Sequence, residues 1–163
     1  MIVRRETTGD RVAVRRLVGT VLSATLLDGL RASDAWLPTL SFVAHDPDGE
    51  IVGHVAAARG RGGATPTLAL LPPSVDPDQR SRGVGQALMH AILDAADALD
   101  ETLVGLVAYP PEYFGRFGFR PAEDFAVVAP VADWQSSFFV RPLTAYEGGV
   151  RGTFTFPEPF LRV

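Results

Sequence analysis

Between Gln79 and Gln86 the chain reads Arg80-Ser81-Arg82-Gly83-Val84-Gly85, a spacing that can hold an anion. Two glycines one residue apart let the backbone curl and come close to a ligand. Apolar periodicity begins directly after them, so the turn is expected to open a helix. The first N–H groups of a helix have no internal partner, and the helix dipole adds positive potential where they emerge. Arg80 and Arg82 add formal charge. A pyrophosphate is the natural guest.

Three phosphate-binding arrangements share this outline. A P-loop needs a lysine after its second glycine. All 15 basic residues of the 163-residue chain are arginine, so that arrangement is excluded. A dinucleotide fingerprint needs a third glycine three residues after the second. Leu88 stands there, and the first strand–helix unit lies elsewhere. The third arrangement is a coenzyme A turn. Other chemistry falls away on composition. Without Lys there is no Schiff-base amine, and without Cys there is no thiol nucleophile, disulfide or thiolate zinc site. A net charge of −4 argues against a nucleic-acid binder, whose field is usually basic. No stretch approaches the roughly 18 apolar residues of a membrane span. Met1 to Glu6 carries no apolar run of a signal peptide. No metal, nucleic-acid or membrane partner is expected, and the expected compartment is the cytoplasm.

The elements that must position the turn follow from periodicity. Ile2–Arg5 reads as a short strand. Val14, Leu17, Val18, Val21 and Leu22 make one apolar face of a helix that starts near Asp10. Leu26, Leu27 and Leu30 suggest a second, shorter helix ending before Pro38. Ser41–His45 and Glu50–Ala58 read as a hairpin about Asp46-Pro47-Asp48-Gly49. Arg59–Ala64 is glycine-rich and reads as a loop. Thr67–Val75 is an apolar strand interrupted by Pro72 and Pro73, which cannot donate ladder bonds, so a bulge or splay is expected. The helix after the turn carries Val84, Leu88, Ala91, Ile92, Ala95 and Leu99 on its buried stripe. Leu103–Ala108 is a strand, and Pro111 opens a short helix through Phe117 that ends at Gly118. Strands near Phe125–Ala129, Phe138–Pro142 and Gly152–Phe156 complete a mixed α/β domain, expected to be single over residues 1–163.

A second landmark lies about 30 residues after the glycine turn. It is Tyr113-Phe114-Gly115-Arg116-Phe117-Gly118-Phe119, an aromatic pair followed by Gly-Phe. Together with Arg80-Ser81-Arg82-Gly83-Val84-Gly85, it resembles the GCN5-related N-acetyltransferase (GNAT) superfamily. That family's signature is Arg/Gln-x-x-Gly-x-Gly/Ala after a strand and opening a helix. Pro111, Arg120-Pro121, Val52-Gly53-His54-Val55 and Leu30-Arg31-Ala32-Ser33 are similar to its YhbS-like branch. The resemblance covers nearly the whole chain.

The resemblance implies an α/β (α+β) GNAT fold, with a mixed central sheet splayed between its fourth and fifth strands and flanked by helices. It implies an acetyl-CoA-dependent N-acetyltransferase that acts by direct transfer to an amine of a small molecule or a protein, with a homodimer possible. Backbone groups of Ser74 and Val75 would pair with the pantetheine arm. Arg80, Ser81, Arg82, Gly83, Val84, Gly85 and Gln86 would hold the pyrophosphate, and Phe114 would touch the cofactor. The sequence departs from the family where a tyrosine commonly protonates the leaving thiolate, because Phe114 occupies that position. Tyr113 is then the substitute acid, or the thiolate leaves unassisted. Phe114 also keeps open a non-catalytic acetyl-CoA-binding sensor with a degenerate site. His54, mid-strand, is the candidate base, with Glu50 and Asp76 as weaker alternatives.

Overall fold

The computed structural model describes residues 1–108 and 110–162. Its elements in chain order are β1 (Ile2–Arg5), α1 (Arg11–Val21), α2 (Ala24–Arg31), β2 (Trp36–His45), β3 (Ile51–Gly62) and β4 (Thr65–Val75). There follow α3 (Val84–Ala98), β5 (Leu103–Val107), α4 (Pro111–Gly115), β6 (Arg120–Pro121), β7 (Val127–Val128), β8 (Phe138–Pro142) and β9 (Gly152–Thr155).

The main sheet runs β1-β2-β3-β4-β5-β8-β6, with β9 joined to the far end of β3 and to β7. The β4–β5 pair is parallel, and its main-path neighbours are antiparallel. Period-two alternation divides the strands between two helical layers. Val43, Ala56, Ala58 and Leu71 face Val14 and Val18 of α1 and Leu27 and Leu30 of α2. Their alternates Phe42, Ala44, Val55, Ala57 and Leu70 face Val84, Leu88, Met89 and Ile92 of α3. Each of these Val, Leu, Ile, Phe and Met side chains, when fully buried, contributes about 1.5–3 kcal/mol relative to exposure. The close approach of α3 depends on Gly53. A Cβ there would lie 2.7 Å from Val84 Cγ1 and 2.8 Å from Leu88 Cδ1.

Two features of β4 create a gap. His54 pairs with Ser74 and Ala56 with Leu71, so two steps on β3 oppose three on β4. The extra residue falls at Pro72-Pro73, where neither nitrogen can donate to a ladder. The register between β4 and β5 is limited to Leu68↔Val104 and Ala69↔Gly105. Beyond Ala69 the strands part, and Leu106 and Val107 pair with β8 alone. A third cluster, around Phe138, Phe154 and Phe156, seals the opposite end. Gly105 admits it: a Cβ there would lie 2.6 Å from Phe154 Cζ.

Several local expectations are corrected. Arg59–Gly62 is not a loop, because β3 continues to Gly62 and pairs along β4 to Thr65. Its glycines lie against Phe154 and Val150, so they serve close packing. The segment Phe125–Ala129 reduces to the two-residue β7, preceded by a 3-10 turn over Ala122–Phe125. On α3 the buried stripe is Val84, Leu88, Met89, Ile92, Leu93 and Ala96, while Leu99 is exposed at the C-cap. The α4 helix stops at Gly115, and the chain reverses at Gly118 with φ +84°.

Candidate active site

The parting of β4 and β5 opens a cleft of about 940 Å³. Pro72, Pro73 and Val75 line it from β4, and Val107 and Ala108 from the end of β5. Gln79, Arg80, Ser81 and Gly83–Gln86 form one rim, while Tyr113, Phe114 and Arg116 form another. Val21 and Leu22 close it from the end of α1.

The rim before α3 presents free backbone donors. Asp76 caps the 3-10 turn Pro77–Gln79 by accepting from the Asp78 amide at 2.9 Å. Ser81 (φ +65°) and Gly83 (φ +82°) then take left-handed conformations that reverse the chain into α3. Ala87 N donates to Gly83 O at 3.0 Å. The amides of Val84, Gly85 and Gln86 precede that first helical bond and have no intrahelical acceptor. No atom lies within 4 Å of where a Gly83 Cβ would stand. The space and the free donors fit a pyrophosphate, and the edge of β4 released beyond Ala69 fits an extended arm. Arg80 lines the rim, whereas Arg82 is exposed and stands outside the lining.

Tyr113 and Phe114 both reach the cleft, although they are adjacent on a short helix. Their rings meet edge-on with centroids 5.0 Å apart. The Tyr113 hydroxyl lies over Gly85, which has room for it because it carries no Cβ. Burial pushes the Tyr113 phenol up, partly opposed by Arg116, whose guanidinium carbon lies 4.9 Å from the ring centroid.

His54 is placed elsewhere. It is fully buried on the sheet face covered by α1 and α2 and does not line the cleft. The expectation that it faces the cleft is corrected by its strand parity, shared with Ala56 and Ala58. Its Nε2 lies 2.9 Å from Ser41 Oγ, and Ser41 donates to Glu6 Oε1 at 2.8 Å. The hydroxyl proton of Ser41 is therefore committed to the carboxylate, so His54 carries its proton on Nε2 and donates to Ser41. Glu6 is also paired with Arg31 at 2.5 Å. Burial pushes His54 down to about 4, outweighing the attraction of Glu6. His54 Nδ1 and Ser74 Oγ, opposite each other in register, are both buried without a partner.

Glu50 is exposed ahead of β3, and Trp36 and Trp134 pack in core clusters away from the cleft. The sequence reading missed Val21, Leu22, Val107, Ala108 and Arg116 as lining residues. Only Arg116 carried a local signal, since it lies within the aromatic landmark. Among the described residues, no group of three or more His, Asp or Glu is placed to hold a metal ion, and no helix is long and apolar enough to cross a membrane.

Comparison with known proteins agrees with this geometry. The family model described as acetyltransferase (GNAT) family matches residues 19–119. An amino-acid acetyltransferase of Mycobacterium tuberculosis is 31% identical over 138 residues, 81% of this chain and 75% of that protein. The uncharacterized N-acetyltransferase YhbS of Escherichia coli K12 is 29% identical over 157 residues, 94% of this chain and 92% of that protein. The crystal structure of E. coli YhbS in complex with CoA superposes with a TM-score of 0.89 at 25% identity, covering 99% of this chain and 92% of that one. A Brucella melitensis GNAT acetyltransferase in complex with acetyl-CoA shares the fold, with a TM-score of 0.76 at 23% identity over 98% and 97% of the two chains. With the glycine turn, the parted strands and the aromatic helix all in the matched region or beside it, the chain belongs to the GNAT family of acetyl-CoA-dependent N-acetyltransferases.

Proposed function

We propose that this cleft binds acetyl-CoA along the released edge of β4 and transfers its acetyl group directly to an amine of a small molecule or a protein. One observation carries the reading. The strands β4 and β5 part beyond Ala69, β4 bulges at Pro72-Pro73, and its free edge leads to the three unpaired amides at the start of α3. In this reading the Ser74 and Val75 backbone pairs with the pantetheine arm. The amides of Val84–Gln86 hold the pyrophosphate, with Arg80 and Ser81 around it and Arg82 outside the lining as a more distant cation, and Gly83 and Gly85 leave room for it. When bound, acetyl-CoA supplies a thioester at the gap, beside Val107 and Ala108.

Phe114 forms an apolar wall there and gives no proton. Tyr113 is the phenol among the described residues of the cleft, and its contact with Gly85 supports reading it at the phosphate end. We read it as a binding residue first and an optional acid second, because a thiolate leaves readily without help. His54 stands behind the wall and serves the packing of β2 on β3. Residues 1–163 act as one domain, in the cytoplasm and with a homodimer open to it; the attachment of β9 to β3 supports the first of these.

The experiment is a calorimetric titration with CoA, followed by thiol release from acetyl-CoA with an amine panel. Binding together with amine-dependent release is expected. Binding without release for every amine would favour a sensor, and no binding would overturn the site.

A further inference from the structure

We propose that the acceptor is a small aromatic amine, uncharged at neutral pH, held between the end of α1 and the free end of β5. This rests on the acetyltransferase reading above. The cleft beyond the glycine turn is apolar on every element that faces it. Val21 and Leu22 come from α1, Pro72 and Pro73 from β4, Val107 and Ala108 from β5, and Phe114 from α4. Leu22, 41% exposed, borders the cleft at the end of α1.

The charged groups of the described lining are both cations, Arg80 from the turn and Arg116 just after α4. Among the described lining residues there is no Asp, Glu or His. The remaining titratable group among the described lining residues is Tyr113, which burial holds in its neutral form. His54 is shut behind the sheet face. With acetyl-CoA bound, its pyrophosphate answers Arg80 at the turn, and an alkylammonium deeper in the cleft would lose water with no carboxylate of the described lining to face it, which is costly. Among the described lining residues it would also meet no base to take its proton. An aromatic amine needs neither. Its ring suits the Pro72, Pro73 and Phe114 walls, and its nitrogen arrives with a free lone pair.

The transfer balances without a protein base. The nitrogen lone pair forms the N–C bond and the C–S bond breaks. The proton lost by nitrogen ends on the departing sulfur, directly or through one water. The products are an N-aryl acetamide and a thiol, and the missing acid at Phe114 costs nothing in this scheme.

The test compares aniline with cyclohexylamine, which have similar shape but differ in charge at pH 7. Calorimetry on CoA-saturated protein at pH 7 is expected to show aniline binding at least about ten-fold more tightly. In turnover, the kcat/KM of aniline is expected to be level between about pH 6.5 and 8, while that of cyclohexylamine climbs about ten-fold per pH unit. In a Leu22→Glu variant, cyclohexylamine should gain at least about ten-fold relative to aniline, because a carboxylate now faces the acceptor. Tighter binding of cyclohexylamine, a level profile for it, or an unchanged preference in Leu22→Glu would each overturn the proposal. Loss of acetyl-CoA binding itself would instead overturn the underlying assignment, and the same calorimeter reads that separately.

Discussion

The hydroxyl of Tyr113 lies 2.9 Å from the point that a Cβ on Gly85 would occupy. Two landmarks separated by 28 residues of sequence thus meet at one atom (113 − 85). The glycine is needed for more than a free amide, since it makes the space in which the aromatic helix closes over the start of α3. Gly85→Ala should displace the Tyr113 ring and weaken CoA binding by about ten-fold, with little change in stability. Adding Tyr113→Phe removes the contacting oxygen and should recover most of the loss. A double-mutant cycle by calorimetry checks this, and strict additivity would separate the two residues.

Tyr113→Phe alone distinguishes binding from proton donation. The expected result is a few-fold rise in KM for acetyl-CoA and a fall in kcat of less than about ten-fold, because thiolate departure needs little assistance. A fall of kcat beyond about 100-fold with unchanged KM would make Tyr113 the general acid.

Gly53→Ala probes the packing that sets the start of α3. Its Cβ would lie within 2.8 Å of both Val84 and Leu88. Overpacking of this kind costs about 1–3 kcal/mol. Urea denaturation should show that loss, and CoA affinity should fall with it if, as proposed, Val84 begins the turn that holds the pyrophosphate.

Acid sensitivity should trace to His54. Its folded pKa is pushed down to about 4, below the ordinary 6.5. Between those values the unfolded chain binds a proton that the folded chain refuses, so stability falls as pH drops through that window. The slope is of the order of 1.4 kcal/mol per pH unit. Asp10, held well below the usual carboxylate range by Arg4, adds a loss only at lower pH. Denaturation midpoints between pH 7 and 4.5 measure the slope. His54→Gln should lower stability at pH 7 and flatten the dependence, and an unchanged slope would assign it to other groups.

The glycine turn, the aromatic landmark and the bulge at Pro72-Pro73 were legible in the sequence because each is a local rule. A helix start needs free amides, a reversal needs left-handed residues, and proline cannot join a ladder. Those rules also placed α1, α3 and the β2–β3 hairpin. The glycine-rich stretch after Arg59 misled, because glycines that admit Phe154 and Val150 look like a loop until their neighbours are known.

His54 shows the same limit at the site. Its strand was legible, but its face depended on how β4 bulges and on which layer covers Ala56 and Ala58. Composition and local pattern therefore determined the turn, its anion chemistry and the family resemblance. Only the tertiary structure decided which wall stands across from the turn. Val21, Leu22, Val107 and Ala108 come from separate elements, and their meeting is set by long-range packing, which leaves no periodic mark on the residues themselves.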